Sequence, residues 1–125
     1  MSKRILVIED QEDNRRILRD LLTSVGYELI EAVTGDTGVT MAEKHRPDLI
    51  LMDIQLPGLD GYEATRRIKA NPALRPIPII AVTSFALSGD DVKAYKAGFD
   101  AYVTKPYVPR QLLAKIREYL PASDS

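Results

Sequence analysis

The sequence predicts an α/β fold: one parallel sheet with helices on both faces. Three observations carry that prediction. Short apolar runs alternate with segments of helical periodicity five times along the chain. The third run, Asp48 to Asp53, is close to continuously hydrophobic, which implies cover on both faces. No repeat, low-complexity stretch or linker interrupts the alternation, and such β-then-α order packs as a parallel sheet with right-handed crossovers.

The elements follow in order. Arg4 to Glu9 reads as a buried strand. Gln11 to Ser24 reads as a helix, with Ile17, Leu18, Leu21, Leu22 and Val25 in an apolar stripe at helical spacing. Gly26 offers the left-handed residue that stops it. Tyr27 to Ala32 is a second strand, and about Asp36 to His45 a second helix, ended by Pro47. Asp48 to Asp53 is the third strand and Gly61 to Ala70 the third helix. Pro78 to Thr83 is the fourth strand, Gly89 to Ala97 the fourth helix, and Gly98 its stop. Asp100 to Thr104 is the fifth strand. Pro109 to Leu120 is the last helix, with proline suited to its first turn.

With 125 residues the chain is expected to be a single domain over residues 1–125, with its core in about 3–120 and a frayed tail over 121–125. An apolar fraction of 45% and a charged fraction of 28% are ordinary for a soluble protein. With 17 basic and 18 acidic side chains the net charge is −1, so no basic field exists to gather nucleic acid or an anionic membrane. The absence of cysteine excludes disulfides, thiolate metal sites and cysteine nucleophiles. The N-terminus enters a strand pattern without a signal-peptide core, and no apolar stretch reaches membrane-spanning length. A cytoplasmic location is expected.

Four of the apolar runs end on residues that chemistry can use. Ile5-Leu6-Val7-Ile8 ends on Glu9-Asp10, Leu49-Ile50-Leu51-Met52 on Asp53, Ile79-Ile80-Ala81-Val82 on Thr83, and Ala101-Tyr102-Val103-Thr104 on Lys105-Pro106. Ligands of open α/β sheets bind beyond the carboxyl ends of the strands, where the strand order reverses. The common order for five such strands, 2-1-3-4-5 in the flavodoxin-like doubly wound arrangement, is a precedent and not a deduction from this sequence. In that order the first and fourth strands flank the third. At about 4.8 Å between neighbours, Glu9 and Asp10 can share a cation with Asp53, and the short Thr83 hydroxyl can reach a group attached to it. Lys105 lies two strands away, roughly 10 Å, a gap that only a long side chain bridges. Three crowded carboxylates repel one another. One lysine compensates part of the charge, and a hard divalent ion with oxygen ligands compensates the rest. Mg²⁺ fits, with Glu9, Asp10, Asp53 and a carbonyl of the following loop as candidate ligands. Asp53 can then act as a carboxylate nucleophile toward phosphorus, with catalysis reduced to positioning and charge stabilisation.

Glu9-Asp10, Leu-Met-Asp53-Ile-Gln-Leu-Pro57-Gly58-Leu-Asp60-Gly61, Ala81-Val82-Thr83-Ser84 and Lys105-Pro106 together resemble the receiver domain of two-component response regulators, the CheY-like family, over about residues 3–120. Asp53-Ile-Gln-Leu-Pro and Val82-Thr83-Ser84-Phe85-Ala86 look most like DivK-like cell-cycle regulators and receivers of hybrid kinases. The resemblance implies a single-domain response regulator in which Asp53 accepts a phosphoryl group from a phosphohistidine of a sensor histidine kinase or histidine phosphotransfer protein. It implies Mg²⁺ on Glu9, Asp10, Asp53 and the Gln55 backbone carbonyl, with Thr83 and Lys105 on the phosphoryl oxygens. It implies a switch in which Tyr102 turns inward as Thr83 moves, and a cis peptide between Lys105 and Pro106. The resemblance further implies that Gln55 and Phe85 hold the positions that tune phosphoaspartate hydrolysis in that family. The face formed by the fourth helix, fifth strand and fifth helix would bind a downstream target. A phosphotransfer shuttle would use the same site.

Taken singly, each residue has a plainer reading. Asp10 could cap the first helix, Asp53 could belong to the turn before Pro57-Gly58, Thr83 could be a strand-end hydroxyl, Tyr102 a half-buried strand aromatic and Lys105 a solvated charge. Their convergence on one edge favours a site. His45, the only histidine, falls beside Lys44 and Arg46 at a helix end, where cations suit the helix dipole. Three other functions compete. An aspartyl-phosphate hydrolase needs an acid two residues after the nucleophile, where Gln55 stands. A flavodoxin-like cofactor binder needs a phosphate cradle where this chain has Glu9-Asp10-Gln11-Glu12-Asp13. A degenerate receiver would lack parts that this site retains.

Overall fold

The computed structural model describes residues 3–83, 90–106 and 108–120, the side chains of residues 90 and 91 excepted. The strands are β1 (Arg4–Ile8), β2 (Glu28–Ala32), β3 (Leu49–Asp53), β4 (Ile79–Thr83) and β5 (Ala101–Thr104). The helices between and after them are α1 (Glu12–Ser24), α2 (Gly35–His45), α3 (Gly61–Ala70), α4 (Asp90–Ala97) and α5 (Pro109–Tyr119). All neighbouring strands pair in parallel, in the order β2-β1-β3-β4-β5. Element ends fall within a residue of those expected from the pattern, which is inside the spread of boundary conventions.

The period of two along each strand divides the core into two layers. Leu6, Ile8, Ile50, Met52, Ile79 and Ala81 face Ala42, Ala64, Ile68 and Ala94, so α2, α3 and α4 cover one side. Ile5, Val7, Leu49, Leu51, Ile80 and Val82 face Leu18, Leu22, Leu112 and Ile116, so α1 and α5 cover the other. Every residue of β3 and β4 is buried, which accounts for their unbroken hydrophobic runs.

The apolar stripe expected on α1 is narrower than its sequence. Leu18 and Leu22 are fully buried, whereas Ile17 and Val25 are 49% and 41% exposed. Ile17 is turned about 100° around the helix axis from Leu18. Val25 has already left helical geometry as the C-terminal cap, ahead of Gly26 at φ 97°. Asp10 does not cap α1: Gln11 holds the N-cap position, without a side-chain capping bond. α2 begins at Gly35, one residue earlier than expected, because the Thr34 side chain accepts from the Thr37 N–H at 3.1 Å and closes the first turn. His45 does end α2, followed by Arg46 in the left-handed region. Asp60 caps α3 by accepting from the Glu63 N–H at 2.9 Å. Among the described residues no helix is long and apolar enough to cross a membrane.

Candidate functional site

Register decides which side chains meet. Ile8 pairs with Met52 and Asp53 with Val82, so the chain leaving β1 stands beside the end of β3. Glu9 follows β1 directly and its N–H continues the ladder to the Ala32 carbonyl at 3.0 Å. Glu9 and Asp53 are only 1% and 4% exposed, and Asp10 beside them is half-buried. Glu9, Asp10 and Asp53 each bring a carboxylate oxygen within 4.8 Å of the others. Lys105, just past β5, reaches across β4 to both buried acids: Nζ lies 2.7 Å from Glu9 Oε1 and 3.2 Å from Asp53 Oδ2.

The remaining oxygens are held by backbone. The Gln11 N–H donates to Glu9 Oε2 at 3.1 Å and the Gln55 N–H to Asp53 Oδ1 at 2.9 Å. The chain after Asp53 stays in the sheet for one residue, with the Ile54 N–H on the Val82 carbonyl at 3.0 Å, then closes when the Gly61 N–H reaches the Ile54 carbonyl at 3.0 Å. At Gly61 a Cβ would lie 2.4 Å from the Asp53 carbonyl oxygen and 2.7 Å from Ile54 Cα. A side chain there would collide with the backbone that aims Asp53.

Electrostatics marks the cluster as unsatisfied without a cation. Burial pushes the Glu9 carboxyl up, Lys105 opposes, and the charge of Asp53 adds to the rise. Burial and Glu9 together raise Asp10. Burial pulls Lys105 down, but its two carboxylates outweigh that and hold its ammonium charged. Three carboxylates against one ammonium leave about two negative charges uncancelled, and oxygen donors at this spacing suit a hard divalent ion.

Thr83 ends β4, is buried, and through its carbonyl accepts the Lys105 N–H at 2.7 Å, which ties the end of β5 to the end of β4. The Lys105–Pro106 peptide is cis. Tyr102 pairs with Ala81 in register and packs half-buried against the α2–α4 layer. Gln55 is exposed at the rim. The sheet thus gathers Glu9, Asp10, Asp53 and Lys105 into one contact network and sets Thr83 and Tyr102 on the adjoining strands. Phe85, with Ala86 and Leu87, lies outside the described residues.

Sequence reasoning passed over Arg15. Its guanidinium donates to the Glu9 carbonyl at 2.9 Å and contacts Glu12 and Glu31. A basic residue three after Glu12, one turn into the helix that leaves the site, was the available signal.

Comparison with known proteins decides the family. The sequence model described as response regulator receiver domain matches residues 5–117. The chain belongs to that family. The receiver is similar to the polar-differentiation response regulator DivK of Brucella anthropi, at 43% identity over 120 residues, 96% of this chain and 98% of that protein. Among solved structures it is similar to the receiver domain of sensor histidine kinase PA1611 from Pseudomonas aeruginosa, which carries a magnesium ion coordinated in its active-site cleft: TM-score 0.89, 38% identity, 96% of this chain and 98% of the other. It is also similar to a CheY-like receiver domain protein from Methanospirillum hungatei, with TM-score 0.86, 36% identity, and coverage of 96% and 94%. This receiver is therefore a signalling module of two-component systems with a CheY-like fold.

Proposed function

We propose that Asp53 of this receiver takes a phosphoryl group from a phosphohistidine of a sensor histidine kinase or a histidine phosphotransfer protein. The observation that carries this is the buried Asp53 carboxylate, within ion-pair distance of Lys105 and within metal-sharing distance of Glu9 and Asp10. A carboxylate oxygen of Asp53 attacks phosphorus, the P–N bond to the imidazole breaks, and its electron pair stays on the departing nitrogen. The product on Asp53 is an acyl phosphate.

Glu9, Asp10, Asp53 and the Gln55 backbone carbonyl are the proposed holders of Mg²⁺. When bound, the ion screens the carboxylates from the incoming phosphoryl oxygens. Lys105 is anchored by its shorter contact, to Glu9, and so remains beside whatever is attached to Asp53. Thr83, at the end of the neighbouring strand, is the proposed hydroxyl donor to the phosphoryl group, and Tyr102 the aromatic that follows its movement. Gln55 and Phe85 are proposed to set how fast the acyl phosphate is lost to water, the only turnover in this reading. The proposed output face is α4–β5–α5. Exposed Val92, Tyr95 and Val108 support it, as does a shallow cavity of about 190 Å³ lined by Tyr102, Val108, Gln111 and Lys115 among others.

Incubation with a small phosphoryl donor, with and without Mg²⁺, tests the proposal by intact mass. A hydroxylamine-labile adduct on Asp53 is expected, dependent on Mg²⁺ and missing in Asp53→Ala. A protein that stays unmodified with both small donors and phosphorylated histidine donors would overturn it. Turnover of small phosphate esters would point to a hydrolase instead. Passage of the phosphoryl group onward to a second histidine protein would identify a shuttle.

A further inference from the structure

We infer that Arg15 is a positioning residue for the metal-binding carboxylates, an inference that rests on the metal reading of Glu9, Asp10 and Asp53 given above. The Arg15 side chain is only 13% exposed, and its Nη1 donates to the Glu9 carbonyl oxygen at 2.9 Å. That carbonyl belongs to the peptide joining Glu9 to Asp10. The N–H of Glu9 is already fixed on Ala32 and its carboxylate on Lys105 and the Gln11 N–H. Rotation of the Glu9–Asp10 peptide is the remaining freedom, and it swings the Asp10 carboxylate toward or away from the other two. The Arg15 hydrogen bond removes that freedom.

The charge of Arg15 is spent elsewhere. Its ion pairs among the described residues are with Glu12 on its own helix and with Glu31 on β2, the latter at 3.5 Å. Glu31 is in turn gripped by Arg19 through two hydrogen bonds of 2.7 Å each. The guanidinium is thus steered from outside the cluster while one N–H points into it. Its effect on the carboxylates is through geometry more than through neutralisation, as for groups behind metal ligands in general.

Calorimetric titration of the full chain with Mg²⁺, with urea unfolding of the metal-free protein and amide NMR shifts of Asp10 and Gln11, separates the possibilities. Arg15→Met is expected to weaken Mg²⁺ binding about tenfold and to displace both amide signals before metal is added. Glu31→Gln removes the same helix-to-strand ion pair but keeps the bond to the Glu9 carbonyl, and is expected to hold Mg²⁺ affinity within about twofold. Arg15→Lys keeps a donor and is expected to recover part of the loss. Native affinity in Arg15→Met, or an equal loss in Glu31→Gln, would overturn the inference. An unsubstituted chain that fails to bind Mg²⁺ would overturn the metal reading beneath it, a distinguishable result.

Discussion

Glu9 and Asp53 hold their carboxylates in the same way. Each gives one oxygen to Lys105 and the other to the backbone N–H two residues further along the chain. The two acids come from adjacent parallel strands, so the sheet repeats one local turn twice, side by side, with a single ammonium between them. Shared neutralisation is incomplete neutralisation, and that leaves a measurable signature in the metal-free protein.

Asp53→Asn is expected to stabilise the metal-free fold, by about 1 kcal/mol, because it removes one of two buried like charges while Asn can still accept from the Gln55 N–H. Added Mg²⁺ should stabilise the native sequence and leave the variant almost unchanged. Urea unfolding in chelator and in Mg²⁺ measures both. A variant less stable than the native protein in chelator would mean that the Lys105–Asp53 attraction outweighs the Glu9–Asp53 repulsion.

Gly61→Ala tests how the backbone aims Asp53. The new Cβ meets main-chain atoms of Asp53 and Ile54, which cannot rotate away as a side chain would. A loss of about 2 kcal/mol is expected from the overpacking, together with weaker Mg²⁺ binding. Gly58→Ala is the control. Gly58 has φ 72° with open space around its Cβ position, so only the left-handed strain, about 1 kcal/mol, applies and metal affinity should hold. Equal losses in the two variants would show that α3 shifts freely away from β3.

The Glu31–Arg19 pair predicts an acid limb. Arg19 holds the Glu31 carboxyl below its ordinary value of 4.5. The unfolded chain therefore binds this proton more readily than the fold does, so the pair's contribution is present above pH 4.5 and fades as pH falls through the lowered value. Glu9 and Asp10 are raised and act in the opposite sense. The difference between the native chain and Glu31→Gln isolates the term. Urea midpoints measured down the acid range in metal-free buffer should converge for the two proteins as the pH drops. A gap that stays constant would mean that Glu31 acts through packing.

The strands were legible because burial on both faces writes itself as unbroken runs such as Leu49-Ile50-Leu51-Met52. The site was legible for a related reason: in a parallel sheet, residues just past such runs share one edge, whatever their separation in sequence. Contacts that depend on how helices are rotated and seated left no such trace. Ile17 carries the right spacing for the α1 stripe but is half exposed, because the seam that meets the sheet runs along Leu18, Leu21 and Leu22. Lys69 gave no sign that its ammonium would donate to the Arg75 and Ile77 carbonyls and to Asp100, binding the turn before β4 to the start of β5. Arg15 is a partial case: its spacing from Glu12 was visible, but its partner at the site is a main-chain carbonyl, and any residue type supplies one.

The reach of Lys105 has a further consequence. The groups that would receive and hold a phosphoryl group are drawn from β1, β3, β4 and the end of β5, and the last of them arrives from the sheet's far edge. A chain that ends before β5 lacks the ammonium, and one that begins after Asp10 lacks both Glu9 and Asp10. In the proposed reading, competence to be phosphorylated therefore requires β1, β3, β4 and β5 to be assembled together. A nascent, clipped or partly melted copy would be mute and would not pass on a false signal.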